Sequence, residues 1–71
     1  MSILITHIKK NRELLNLSQA ELASIVGVRR ETIIRLEKGL YNPSLKLAMD
    51  ISKVFNVPIE TLFFYEEENL I

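Results

Sequence analysis

At 71 residues the chain makes one small domain, 1–71, because folding at this size hides only about 60% of the unfolded chain's surface. Its 48% apolar and 25% charged residues exclude a disordered or collagen-like segment, and the absence of cysteine excludes a disulfide framework, a thiolate metal site and a cysteine nucleophile. The formal net charge is zero but unevenly spread: residues 1–53 hold all nine Lys and Arg and carry a net +4, whereas residues 54–71 carry −4, so a basic body is followed by an acidic end.

In chain order, Ile3-Leu4-Ile5 opens with a period of two, which suggests a strand. It falls far short of a signal peptide, and no apolar run approaches the roughly 18 residues of a membrane span, so a soluble, cytoplasmic chain with no membrane contact is expected. A first helix is predicted from His7 to Leu15, with Ile8, Leu14 and Leu15 facing inward and Asn16 as its left-handed stop. Ser18-Gln19-Ala20-Glu21 is a capping box that starts a second helix, Gln19 to Val26, with Leu22, Ala23 and Val26 as its inner stripe and Gly27 as its end. A third helix follows Val28 and Arg29, runs to Lys38 and closes at Gly39, with Ile33 and Leu36 on one face. Ser44 caps a fourth from Leu45 to Phe55, whose core face is Leu45, Ala48, Ile51, Val54 and Phe55, and Asn56 stops it. Pro58 opens a one-turn fifth helix, Ile59 to Leu62. Phe63 and Tyr65 then alternate with Phe64 and Glu66, so an antiparallel ribbon joining the two termini is expected beside an otherwise all-α fold.

The second and third helices, joined by a tight turn containing Gly27, form a helix-turn-helix unit over about residues 18–38, whose second helix can lie in the DNA major groove. The close crossing needs a small residue four positions before the glycine, where Ala23 sits, and apolar pins after it, supplied by Val28, Ile33 and Leu36. On these residues the stretch from Leu17 to Phe63 resembles the Cro/XRE-type, lambda-repressor-like DNA-binding family. The resemblance implies a five-helix, stand-alone regulatory domain. The flanking pieces, Ile3-Leu4-Ile5 and Phe63 to Glu68, are similar to the small cytolysin-repressor-like members, in which both ends form a β-ribbon beside a helical dimer.

At about 100° per residue, Ile33 and Leu36 point inward while Glu31, Ile34, Arg35 and Lys38 point away, with Arg30 flanking them. Arg30 and Arg35 can each fork onto guanine O6 and N7 or grip a phosphate. Glu31 either accepts from a cytosine amino group or pairs with Arg35 four residues on. Ile34 either meets a thymine methyl or is partly buried against the second helix. Arg30, Glu31, Ile34 and Arg35 are thus the candidate base-contacting set.

Phosphate contacts are expected where helix N-termini present free amides, near Gln19 and near Asn42 and Ser44, with Arg29 beside them. The resemblance gives Gln19, Lys38, Tyr41 and Asn42 backbone-contacting roles, whereas capping suffices for Ser18 and Ser44. It also implies an internal ion pair between Arg12 and Glu37. Two positions depart from the family pattern: Arg29 stands where a capping Ser or Thr is usual, and Glu31 replaces a common Gln.

The single histidine, His7, reads as a solvated helix-terminus residue with no cysteine or suitably spaced serine around it, and both glycines, Gly27 and Gly39, are helix stops rather than a phosphate loop. Glu66 to Glu68 read as a solubilising tail. An enzyme, a metal, a cofactor or a small-molecule ligand is therefore not expected. A protein-binding module such as an antitoxin with the same fold is the alternative, set against by the cluster of Arg29, Arg30, Arg35 and Lys38. The expected activity is sequence-specific binding of double-stranded DNA by a homodimeric repressor on an inverted repeat, since one reading helix contacts too few base pairs for selectivity. Ile59, Leu62, Phe63, Phe64 and Tyr65 exceed what so small a core absorbs and are the expected dimer interface.

Overall fold

The computed structural model describes residues 2–67 and contains, in order, β1 (Ser2–Thr6), α1 (Ile8–Leu14), α2 (Gln19–Val26), α3 (Arg30–Glu37), α4 (Leu45–Phe55), α5 (Ile59–Leu62) and β2 (Phe63–Glu67). Helices α1 to α4 end in the same way. The residue after the last turn is left-handed (Asn16 and Asn56 at φ 56°, Gly27 and Gly39 at φ 73°), and the next amide reaches back five residues to a carbonyl of the helix's final turns. These bonds are Leu17 N to Arg12 O, Val28 N to Ala23 O, Leu40 N to Arg35 O and Val57 N to Ser52 O, at 2.9–3.2 Å. Only glycine and asparagine enter that conformation readily, so the four stops were visible in the residue types.

The helix starts divide between capped and uncapped. Ser18 Oγ accepts from Glu21 N at 3.0 Å and Glu21 Oε1 accepts from Ser18 N at 2.8 Å, which closes the capping box and holds the Glu21 carboxyl below its ordinary pKa. Ser44 Oγ accepts from Leu47 N at 3.1 Å. Arg29 occupies the cap position of α3 and makes no side-chain cap bond, as expected of a side chain with no acceptor.

Ile8, Leu22, Ile33, Leu36, Ile51 and Leu62 have no solvent exposure, and Ala23, Leu47, Ala48 and Phe55 complete the core. Three inward expectations are corrected. Leu14 and Leu15 are 71% and 50% exposed, because the buried face of α1 is the i, i+4 pair Ile8 and Arg12. Leu45 is also 71% exposed, because α4 turns Leu47, Ile51 and Phe55 inward and leaves Leu45 on the far side. Helix α3 ends at Glu37, with Lys38 as its cap residue rather than its last turn.

The terminal strands pair antiparallel, with Leu4 opposite Tyr65 and Thr6 opposite Phe63 on one face, and Ile3 opposite Glu66 and Ile5 opposite Phe64 on the other. The first face lies on the body: Phe63 packs against the core and Thr6 Oγ1 donates to Glu37 O at 3.4 Å. A Cβ on Gly39 would sit 2.5 Å from the Leu4 carbonyl oxygen, so glycine is required there by close approach as well as by φ. Of the acidic tail, Glu66 is exposed and Glu68 lies outside the described residues. No helix among the described residues is long and apolar enough to cross a membrane.

Candidate nucleic-acid interface

The α2–α3 unit is set by one small side chain and one left-handed residue. Ala23 is 3% exposed at the crossing, and Gly27 turns the chain with φ 73° and ψ 36°, its amide reaching the carbonyls of Ala23 and Ser24. A Cβ at Gly27 would meet nothing within 4 Å, so backbone conformation alone calls for glycine here. After two intervening residues α3 begins, pinned by Ile33 and Leu36 at zero exposure, with Val28 packed on the core beside them.

Pinning those two residues turns Arg30, Glu31 and Arg35 to solvent. Arg29, Glu31, Thr32, Arg35 and Tyr41 line one shallow surface groove, which brings three residues of the reading helix together with two of the expected backbone-contacting ones. Thr32, half-buried in that groove, had not been singled out; its place on the flank of α3 between Glu31 and the buried Ile33 is the signal that could have found it. Ile34 is half-buried rather than proud, so of its two readings the partial burial is what the fold displays. Among the described residues, Glu31 and Arg35 make no salt bridge with each other, which leaves the Glu31 carboxylate and the Arg35 guanidinium available to a ligand.

Behind the exposed face runs a continuous polar chain. Arg30 Nη2 donates to Gln19 Oε1 at 3.4 Å, and Gln19 Nε2 donates to Glu37 Oε1 at 3.1 Å. Glu37 in turn accepts from Arg12 Nε at 2.7 Å and Nη2 at 3.3 Å, and Arg12 Nη1 donates to Leu17 O at 2.8 Å. The Arg12 and Glu37 side chains are 10% and 6% exposed, so the internal pair between the first and third helices is present. The hydrogen bond to Glu37 holds the Arg12 guanidinium above its ordinary pKa against the opposing effect of burial. Gln19 is thereby fixed at the first turn of α2, and Arg30 is tethered to it at the first turn of α3. A side chain tethered in this way loses less rotamer freedom when a ligand arrives.

The remaining expected phosphate contacts surround the groove. Lys38 is exposed at the end of α3, Tyr41 is 37% exposed, and the exposed Asn42 accepts a hydrogen bond from Tyr65 in the ribbon. The expected dimer residues do not all share one surface. Leu62 is fully buried in the chain's own core, whereas Tyr65 is 55% exposed, on the ribbon face opposite Phe64 with its hydroxyl on the loop after α3. Ile59 and Phe63 are half-buried, and Phe64, 41% exposed, lies on the outer ribbon face with its ring edge-on to His7 at 5.5 Å. His7 is exposed at the start of α1.

A helix-turn-helix family profile matches residues 8–62. An uncharacterized HTH-type transcriptional regulator of Archaeoglobus fulgidus is 60% identical over 65 residues, covering 92% of each chain. The uncharacterized HTH-type transcriptional regulator YgzD of Bacillus subtilis is 45% identical over 62 residues, covering 87% of this chain and 94% of its own. Among solved structures, the transcriptional regulator VanUg superposes with a TM-score of 0.75 at 22% identity, covering 94% of this chain and 89% of that one, a likeness of fold. With its two-helix unit, its outward-facing α3 and these relatives, the chain belongs to the Cro/XRE-type helix-turn-helix family of transcriptional regulators, a DNA-binding and non-enzymatic class.

Proposed function

We propose that this regulator binds an inverted-repeat site in double-stranded DNA as a homodimer in the cytoplasm, inserts α3 into the major groove, and represses by covering the promoter. The observation that carries this reading is the exposed edge of α3, where Arg30 and Arg35 face solvent on a helix whose opposite side is fully buried, with Arg30 tethered to the Gln19–Glu37–Arg12 chain. In this reading Arg30, Glu31 and Arg35 meet base edges and Ile34 contributes its remaining surface to a thymine methyl. Arg29, Gln19, Lys38, Tyr41 and Asn42 meet phosphates on either side. Occlusion needs no surface beyond the DNA face and a two-fold interface.

For that interface, the outer ribbon face of Ile3, Ile5 and Phe64 is an apolar surface that the chain's own core does not cover completely. A two-stranded ribbon is marginal alone and gains by packing on a second copy. Sedimentation is expected to give a dimer at micromolar concentration, and monomer alone would overturn this part.

Selection of bound duplexes from a random pool tests the whole reading. The expected product is an inverted repeat whose half-sites are about 34 Å apart on one face of the duplex. Enrichment of single half-sites, or none, would overturn it. Arg35→Ala is expected to weaken binding to the selected site by about 1–3 kcal/mol and to relax preference at one base pair. An unchanged affinity in fluorescence anisotropy would remove Arg35 from the reading set. A binding constant insensitive to salt would favour a protein partner over DNA, since each neutralised phosphate contributes about −0.9 to the log–log slope.

A further inference from the structure

We infer that Tyr65 is a positioning residue for DNA binding, acting through Asn42 by clasping the loop after α3 to the terminal ribbon. The inference rests on the proposed DNA reading and extends it to a residue that touches no DNA.

Three independent contacts tie the ribbon to this loop. The Thr6 hydroxyl donates to the carbonyl of Glu37, the last residue of α3. The Leu4 carbonyl lies against Gly39, where a Cβ would come within 2.5 Å of its oxygen. The Tyr65 hydroxyl donates to Asn42 Oδ1. Leu4, Thr6 and Tyr65 all belong to one ribbon face, since Leu4 is the register partner of Tyr65 and Thr6 lies two residues along the strand. The Thr6 and Tyr65 side chains of that face, together with the Leu4 backbone carbonyl, therefore hold the chain at 37, 39 and 42, through the segment that carries Lys38, Tyr41 and Asn42.

The chemistry of the Tyr65–Asn42 bond gives it a direction. A carboxamide has an acceptor end and a donor end. With Oδ1 engaged by the phenol, the Nδ2 group is the end left over and, among the described residues, donates to no protein atom. A phosphate oxygen is acceptor-only and suits that free donor, whereas an unclasped Asn42 would present either end. The two faces of the ribbon thus divide, with Ile3, Ile5 and Phe64 outward and Leu4, Thr6 and Tyr65 on the side of the loop.

The test is a double-mutant cycle on the selected duplex, using Tyr65→Phe, Asn42→Ala and the double variant, with dimerisation and thermal unfolding measured on each. Tyr65→Phe is expected to weaken DNA binding about 3–10-fold, the range of one net hydrogen bond, while the dimer stays within error of the parent and the chain remains folded, its melting temperature no lower than that of Asn42→Ala. The double variant is expected to bind no worse than Asn42→Ala, because Tyr65 acts only through Asn42. Asn42→Asp retains the acceptor for Tyr65 but sets a carboxylate against phosphate, and is expected to bind more weakly than Tyr65→Phe. Parental affinity in Tyr65→Phe, or additive losses in the double variant, would overturn the inference and leave the DNA reading standing. A parent chain that binds no duplex would overturn both.

Discussion

Replacement of Glu37 by alanine is expected to destabilise the fold by about 3–5 kcal/mol, the range for breaking a buried ion pair from one side. The carboxylate accepts from Arg12 Nε at 2.7 Å and Nη2 at 3.3 Å with both side chains almost wholly covered, so its removal leaves a guanidinium that cannot shed its proton inside the protein. Small domains have total stabilities of about 5–15 kcal/mol, and a 71-residue chain lacking disulfides belongs toward the lower end. Urea titration is expected to show a large fall in midpoint. The pair Arg12→Met and Glu37→Leu together is expected to recover most of the loss, because two apolar groups of similar volume leave no charge uncompensated. A double variant as weak as Glu37→Ala would assign the effect to lost packing instead. Because Glu37 also accepts from Gln19 at 3.1 Å, the single variant releases the support of Arg30 as well, and its DNA affinity is expected to fall even where it remains folded.

Leu62→Ala is expected to lower stability by about 2–5 kcal/mol through the cavity it leaves. Leu62 has no exposure and sits in one cluster with Ile8, Leu22, Ile33, Leu36 and Ile51, and its carbonyl accepts from His7 N at 2.9 Å where β1 turns into α1. The loss is therefore expected to be the same at low and high protein concentration. A dimer-interface residue behaves otherwise, since its removal weakens the stabilisation that a dimer gains by mass action, a loss that grows with concentration. Thermal unfolding over a hundredfold range of concentration separates the two: a loss that disappears on dilution would return Leu62 to the interface.

The helix boundaries were legible because they are decided within a few residues. Ser18 with Glu21, Ser44, Gly27, Gly39, Asn16 and Asn56 each satisfy or redirect neighbouring backbone groups, and each does so in the folded chain. The reading face of α3 was legible for a related reason: the requirement for Ala23 and Gly27 at the crossing, together with Ile33 and Leu36 as pins, leaves Arg30, Glu31 and Arg35 only the outer side. Helical period does not, however, supply its own phase. In α1 the expected face of Ile8, Leu14 and Leu15 and the observed pair of Ile8 and Arg12 share Ile8 and differ in how the face continues along the helix. The observed pair is buried because α3 offers Glu37 as a counter-ion at that spot, across 25 residues of chain. In α4 the same uncertainty exchanged Leu45 for Leu47.

The sequence by itself determined where helices begin and end, the helix-turn-helix unit and the family to which it belongs, since these follow from local backbone chemistry and short spacings. Only the tertiary structure decided which side of α1 and α4 is covered, that Leu62 belongs to the core, and that Tyr65 turns to Asn42 rather than to the outer ribbon face. Those outcomes depend on which distant surface meets each side chain, and pairs separated by 23 and 25 residues leave no mark in local periodicity.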